Sequence, residues 1–331
     1  MTVPRLDVLA IGNAIVDVIA DASDEFVSAQ GAAKGSMRLI DEAEATRLYQ
    51  AMGPARELSG GSAANTVAGL AALGLSTGFV GQLADDQLGQ IFTHDIRSLG
   101  VEFDTPPRSD VGATARCLIL VTPDAQRTMN TFLGAAQMLE ADAVDPARIA
   151  AARTLYLEGY LWDPEAARAA MHAAMDAARA ARTKVAFTLS DSFVVDRHRA
   201  DLLALLDQRR IDILFANEAE ILMLAGAAAL DSAVAAIAPK VATLIVTRSE
   251  KGALAVSGGE RAEVPAEPIE RLVDTTGAGD LFAAGFLAGE ARGLGLERSL
   301  KLGAIAAAEV IQHYGARPEA DLKALAGDLL D

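Results

Sequence analysis

The sequence predicts an α/β fold with a mostly parallel central sheet, helices on both faces and a small β-sheet lid. Three observations predict it. Short, nearly continuous apolar runs such as DVLAIG, KVAFTLS and ATLIVT read as strands covered on both faces. Longer helical stretches separate them, the order expected of a parallel sheet. Two strand-like runs, ARCLILV and RTMNTFL, flank the turn-like TPDAQ and break that alternation.

The elements follow in order. DVLAIG (7–12) is the first strand, and IVDVIA (15–20) alternates as a half-exposed strand does. A helix is expected over 41–52, and a second from the glycine pair of SGGSAANTVAGLAALG to Gly74. TGFVGQL gives the next strand and 86–99 the next helix. The hairpin within 113–136 and the strand at 15–20 do not fit a parallel sheet. They are assigned to the lid, about 13–40 and 105–132, with the remainder of a single domain, 1–331, as core. Beyond the hairpin, LYLEGY, KVAFTLS, ILFAN and ATLIVT alternate with helices near 164–182, 197–208 and 218–226. GALAVSGGERAEVPA reads as a second hairpin, and helices at 277–293 and 297–313 close the chain.

Composition narrows the function. The 331 residues are 51% hydrophobic and 22% charged, enough apolar material for a large core. The formal charge of −16 argues against nucleic-acid or anionic-membrane partners. Cys117 is the one cysteine, so no intrachain disulfide forms, and its apolar strand makes it a packing residue. The N-terminal apolar run is broken by Asp7, Asn13 and Asp17, unlike a secretory signal, and no run of about 20 apolar residues predicts a membrane span. A cytoplasmic protein, monomer or homodimer, is expected. No G-x-G-x-x-G follows the first strand and no G-x-x-x-x-G-K-[ST] occurs, against a dinucleotide-binding dehydrogenase or a P-loop NTPase.

Five segments carry candidate chemistry. In DTTGAGD (274–280), Gly277, Ala278 and Gly279 open a helix whose free amides suit an anion. Asp280 beside them suits a base that deprotonates an attacking hydroxyl; a glycine turn with a dipole-favoured aspartate is the plain alternative. In Gly60-Gly61-Ser62 to Asn65 the paired glycines of a second helix start (Gly61, Ser62 and Asn65 the candidates) let a ligand touch backbone, although a loop plus N-cap by itself accounts for the pattern better. Asn13 and Asp17 flank the end of the first strand, the edge where ligands of open α/β sheets gather. Asp17 there suits sugar hydroxyls or merely solvent. Asn217 and Glu220 in NEAE suit a water-bridged magnesium ion or a plain helix start. Arg127, at the lid hairpin, suits a cation over a phosphoryl group or a solvated turn.

Taken together these segments resemble the ribokinase-like, or PfkB-type, carbohydrate kinases. The likeness runs from the first strand through GGSAANTVAGLAALG and NEAE to DTTGAGD, which matches the D-T-x-G-A-G-D signature throughout. VTRSEKGALA, with Thr247 and Gly252, resembles the family's nucleotide-lining segment, although Arg248 and Ser249 are bulkier than usual there. The resemblance implies ATP as donor, Mg2+ as ion, Asp280 as base, Gly277 to Gly279 as anion hole, and Asn217 with Glu220 organising magnesium through water. Within the family the adenosine-kinase subgroup is most similar. Its pattern implies Asn13 and Asp17 on the ribose, Gly61, Ser62 and Asn65 as a substrate-side glycine motif, Tyr160 near the adenine and Arg127 near the transferred phosphate. Phosphorylation of adenosine to AMP is therefore expected. A sugar kinase of the ribokinase, fructokinase or 2-keto-3-deoxygluconate kinase type is the alternative, followed by a non-catalytic nucleoside or sugar sensor.

Overall fold

The computed structural model describes residues 6–124 and 126–330. Fourteen strands appear in chain order among them. They are β1 (Leu6–Ile11), β2 (Ile15–Asp21), β3 (Met37–Leu39), β4 (Ala55–Gly60), β5 (Thr77–Val80), β6 (Glu102–Phe103) and β7 (Ala115–Val121). They continue with β8 (Arg127–Phe132), β9 (Ala152–Glu158), β10 (Lys184–Thr188), β11 (Ile213–Asn217), β12 (Thr243–Thr247), β13 (Ala253–Ser257) and β14 (Glu260–Val264). Nine build one sheet in the order β14-β13-β12-β11-β10-β9-β1-β5-β6, and five build a second, β3-β8-β7-β2-β4.

The large sheet is parallel from β12 to β6, and the β12–β13–β14 meander is antiparallel. Its parallel strands are apolar on both faces because helices cover both. One core lies beneath helices Ser62–Ala72, Ala278–Arg292 and Leu296–Val310, and continues into the inner face of the small sheet. The other lies beneath helices Glu165–Ala181, Ser192–Asp207, Glu218–Ala225 and Leu230–Ile237. Phe92, on helix Gln87–Ser98, wedges between Phe79 of β5 and Phe103 of β6, with centroids 5.9 and 5.5 Å apart. Truncating such a buried ring costs about 3–5 kcal/mol.

The small sheet shows the expected alternation. In β2, Val16, Val18 and Ala20 are buried, while Ile15, Asp17 and Ile19 face the other way. β7 is buried on both faces and pairs antiparallel with β8, as the hairpin pattern predicts.

Several features differ from expectation. β4 joins the small sheet beside β2, adding residues outside the two segments assigned to it. Its sequence, ARELSG, is too polar to announce a strand, and only its last two residues are buried. The helix expected from 197 begins at Ser192, because the Asp191 side chain accepts the Phe193 amide at 3.1 Å; His198 interrupts its regular backbone. Helix Leu230–Ile237 was not anticipated. A short helix, Leu322–Ala326, follows the two helices expected to close the chain. Among the described residues no single helix is long and apolar enough to cross a membrane.

Candidate active site

The carboxyl ends of β1, β9, β11 and β12 share one edge of the large sheet, and the small sheet adjoins it. The residues singled out in sequence converge along this edge.

Helix Ala278–Arg292 begins there. Its cap, Gly277, sits at φ +79°, where a Cβ would also stand 2.6 Å from that of Ala316. Glycine is needed on both counts. The Ala278 amide donates to the Thr275 carbonyl at 3.2 Å. The Gly279 and Asp280 amides donate to no protein acceptor among the described residues, and a Cβ on Gly279 would meet no atom within 4 Å. Two backbone donors and a helix dipole therefore face open space, a ready site for an anion.

Asp280 stands beside that space. Its Oδ1 accepts the Ser62 hydroxyl at 2.6 Å and its Oδ2 accepts the Asn65 amide at 2.9 Å. Burial raises its pKa, against the pull of these two hydrogen bonds and of Arg317. Ser62 and Asn65 thus serve Asp280 directly. The Asn65 Oδ1, buried without a partner, is what that residue has left to offer a ligand.

Asp17 projects from β2 on the same side. Burial pushes its pKa up to about 6, opposed by Arg127 and Arg317 and reinforced by Asp280. Ile15, Ile19, Cys117, Ile119, Val121 and Met129 form the apolar surface around it. The glycine pair explains itself through packing. A Cβ on Gly60 would lie 2.4 Å from Asp17 Oδ2, and one on Gly61, at φ +98°, 2.2 Å from the Asn13 carbonyl. The pair makes room for the site's own groups, and Gly61 is the N-cap of helix Ser62–Ala72.

Asn13 is buried, and both its backbone amide and its side-chain amide donate to Glu158 Oε1 at 2.7 Å. Glu158 Oε2 accepts the Ala63 amide at 2.7 Å. Burial pushes the Glu158 pKa up to about 7, with Asn13 and Ala63 pulling it down. Sequence reasoning passed over this residue. The signal was present, since a lone carboxylate inside the apolar run LYLEGY must find donors once buried.

Arg127 is buried and tied to Asp274 by an ion pair; its Nη1 also lies 3.2 Å from Thr276 Oγ1. Asp274 accepts the Thr276 amide and hydroxyl at 3.0 and 2.8 Å and the Gly315 amide at 3.1 Å. The arginine thus clamps the small sheet to the loop before the helix, leaving its Nε and Nη2 buried without partners. Arg317, also unforeseen, donates to the Ser59 carbonyl at 2.8 Å, the Ser59 hydroxyl at 2.9 Å and the Ala64 carbonyl. Burial lowers its pKa to about 10, while Asp95, Asp17 and Asp280 hold it up.

At the end of β11, Asn217 and Glu220 form a reciprocal capping box. Asn217 Oδ1 accepts the Glu220 amide, and the Asn217 side-chain and backbone amides donate to the two Glu220 oxygens at 2.8 and 2.9 Å. Burial pushes the Glu220 pKa up to about 7. Thr247 is the register partner of Asn217 on β12, so the two motifs share one edge. Gly252 sits at φ +85°, where a Cβ would lie 2.0 Å from the Val264 carbonyl, a requirement of the β12–β13 turn. Tyr160 follows β9 in the turn Gly159–Trp162 and packs on Phe193 at 5.9 Å. Burial raises its phenol pKa.

Comparison with known proteins identifies the family. The adenosine kinase of Sinorhizobium meliloti is 48% identical and superposes with a TM-score of 0.90, covering 97% of this chain and 98% of that one. A probable sugar kinase from Rhizobium etli is 46% identical with a TM-score of 0.90, covering 98% of each chain. The fructokinase of Klebsiella pneumoniae is 27% identical over 77% of this chain and 84% of its own length. Residues 7–322 match the family described as pfkB family carbohydrate kinase. The chain belongs to the PfkB family of carbohydrate kinases, ATP-dependent phosphotransferases.

Proposed function

We propose that this kinase transfers the γ-phosphoryl group of ATP to the primary hydroxyl of a nucleoside, adenosine first among candidates, yielding AMP. The observation that carries the chemistry is Asp280, fixed by Ser62 and Asn65 beside the unbonded Gly279 and Asp280 amides. Asp280 accepts the proton of the attacking hydroxyl, and the amides meet the charge that spreads over the phosphoryl oxygens. Asp17 holds sugar hydroxyls, and Asn65 Oδ1 and the Asn13 carboxamide oxygen offer further acceptors. Positioning and electrostatics supply most of the acceleration in such transfers. The small sheet acts as the lid, excluding water from the phosphoryl group. Arg127 supports the phosphate side of the site through its two unpartnered nitrogens.

Among the described residues no three His, Cys, Asp or Glu side chains converge to hold a metal. The side-chain oxygens of Glu220 and Asn217 fit magnesium, which keeps much of its water and rides on nucleotide phosphates. Glu220 and Asn217 would hold it through water, and the ion would offset phosphate charge.

One feature supports a nucleoside over a free sugar: the face around Asp17 is apolar, as a purine requires. The test is a substrate panel of adenosine, inosine, guanosine, ribose, fructose and 2-keto-3-deoxygluconate with ATP and magnesium. Adenosine should give the highest kcat/KM; a higher value for fructose or ribose would reverse the reading.

A further inference from the structure

The large sheet has a second polar edge. Because β9 to β12 run parallel, their amino ends gather opposite Glu158, Asn217 and the start of helix Ala278–Arg292. There the segments entering β10 and β11 enclose a cavity of about 280 Å3. Five of its nine lining residues are cations: Arg179, Arg182, Lys184, Arg209 and Arg210. Such a concentration is unexpected in a chain of net charge −16.

The protein neutralises these charges only in part. Lys184 pairs with Glu290 and Arg210 with Asp176. Asp212 is the one acidic group in the lining, and its Oδ2 accepts the Val185 amide at 2.7 Å. Arg179 donates to a neutral acceptor, the Gln208 carbonyl, at 3.0 Å. The exposed guanidinium groups of Arg182 and Arg209 have no hydrogen-bond or ion-pair partner among the described residues. Both residues hold left-handed backbone, φ 61° and 53°, Arg182 as the cap of its helix and Arg209 one residue past the cap of the next. The two guanidinium forks left without a carboxylate partner match the oxygens of a phosphate group.

We propose that this cavity binds a small phosphorylated metabolite at a site separate from the phosphoryl-transfer centre. Its volume lies just under the roughly 300 Å3 at which drug-sized pockets begin. It therefore suits a pyrophosphate or a sugar phosphate, not a whole nucleotide. The lone Asp212 repels an anion but is outnumbered by the five cations, whose net attraction grows with ligand charge and so favours a phosphate over a singly charged anion.

The test is isothermal titration of the full chain with inorganic pyrophosphate, ribose 5-phosphate and citrate. It compares the unmodified protein with Arg182→Ala/Arg209→Ala and with Gly279→Ala, which alters the transfer centre instead. The expected result is a phosphate-binding component that survives Gly279→Ala and weakens about tenfold or more per arginine removed. Turnover and melting temperature of the double variant should be unchanged, since alanine keeps the same Cβ at exposed positions. Equal pyrophosphate affinity in the unmodified and doubly substituted proteins would overturn the site. Citrate binding as tightly as pyrophosphate would overturn its phosphate class. Of the two phosphates, the tighter binder identifies the source as inorganic or sugar-borne.

Discussion

The Ser62 hydroxyl donates to Asp280 Oδ1 across 2.6 Å, although the two residues stand 218 positions apart. Asn65 takes the other oxygen, so a carboxylate acting as the proposed base is already aimed. An incoming hydroxyl must share or replace one of these donors to deliver its proton. Asp280→Asn keeps the shape and removes the base. Turnover should fall by roughly two or more powers of ten, with ATP binding little changed. Near-normal turnover at saturating ATP and adenosine would remove Asp280 from that role.

Gly279→Ala separates stability from catalysis. No protein atom lies where its methyl group would go, and the residue is helical. Alanine there should leave the melting temperature unchanged or raise it, by up to about 1 kcal/mol of stability. The same methyl group blocks approach to the open amides, so kcat/KM for ATP should fall at least about tenfold. A variant as active as the parent would show that no phosphate comes this close.

Asp17 should be read through pH. Its pKa is raised to about 6, so its carboxylate is increasingly protonated below that pH and binds sugar hydroxyls less well. The expected profile of kcat/KM has an acid limb near pH 6 from Asp17, and Asp280, whose pKa burial also raises, adds to the loss at low pH. Asp17→Ala should mainly raise the Michaelis constant for the sugar-bearing substrate. An unchanged constant would exclude Asp17 from substrate binding.

Stability should move the other way with pH. Glu158 and Glu220 titrate near 7 in the folded protein and near 4.5 when unfolded, so between those values the folded state holds more protons. Folding is then favoured as pH falls from about 7 toward about 4.5 and weakened as pH rises through that window. Melting temperatures measured across it should show this slope, and Glu158→Gln should make it shallower. An equally steep slope in the variant would return Glu158 to an ordinary pKa.

Arg317 is expected to hold the site together without touching the reacting atoms. Arg317→Ala leaves the Ser59 and Ala64 carbonyls without their charged donor, a loss of about 1.5–3 kcal/mol. Chemical denaturation should detect it; an unchanged midpoint would mean that water replaces the guanidinium at no cost.

Most of this architecture was legible because its signals are local. Apolar runs, the hairpin turn and the alternation in IVDVIA fix strands through periodicity. The signature glycines and Asp280 were legible because a helix start and its dipole are properties of neighbouring residues. What escaped depends on contacts between distant segments. β4 is a strand because β2 lies beside it, not because ARELSG favours one. Arg317 sits in a polar tail with no periodicity, and only folding brings it to Ser59. The same holds for roles. Gly60 and Gly61 read as bare backbone for a ligand, yet Asp17 and the Asn13 carbonyl fill those spaces. Asn13 read as a free sugar contact, yet its amide belongs to Glu158.

For the small sheet as the proposed lid, the pairing of Arg127 with Asp274 has a consequence. A salt link sheltered from water is hard to stretch, because half-separated charges have neither each other nor solvent. Intermediate positions of such a lid are therefore costly, and it should swing between two discrete stations in the manner of a latch. The first residue of the signature would in this way time access to the last.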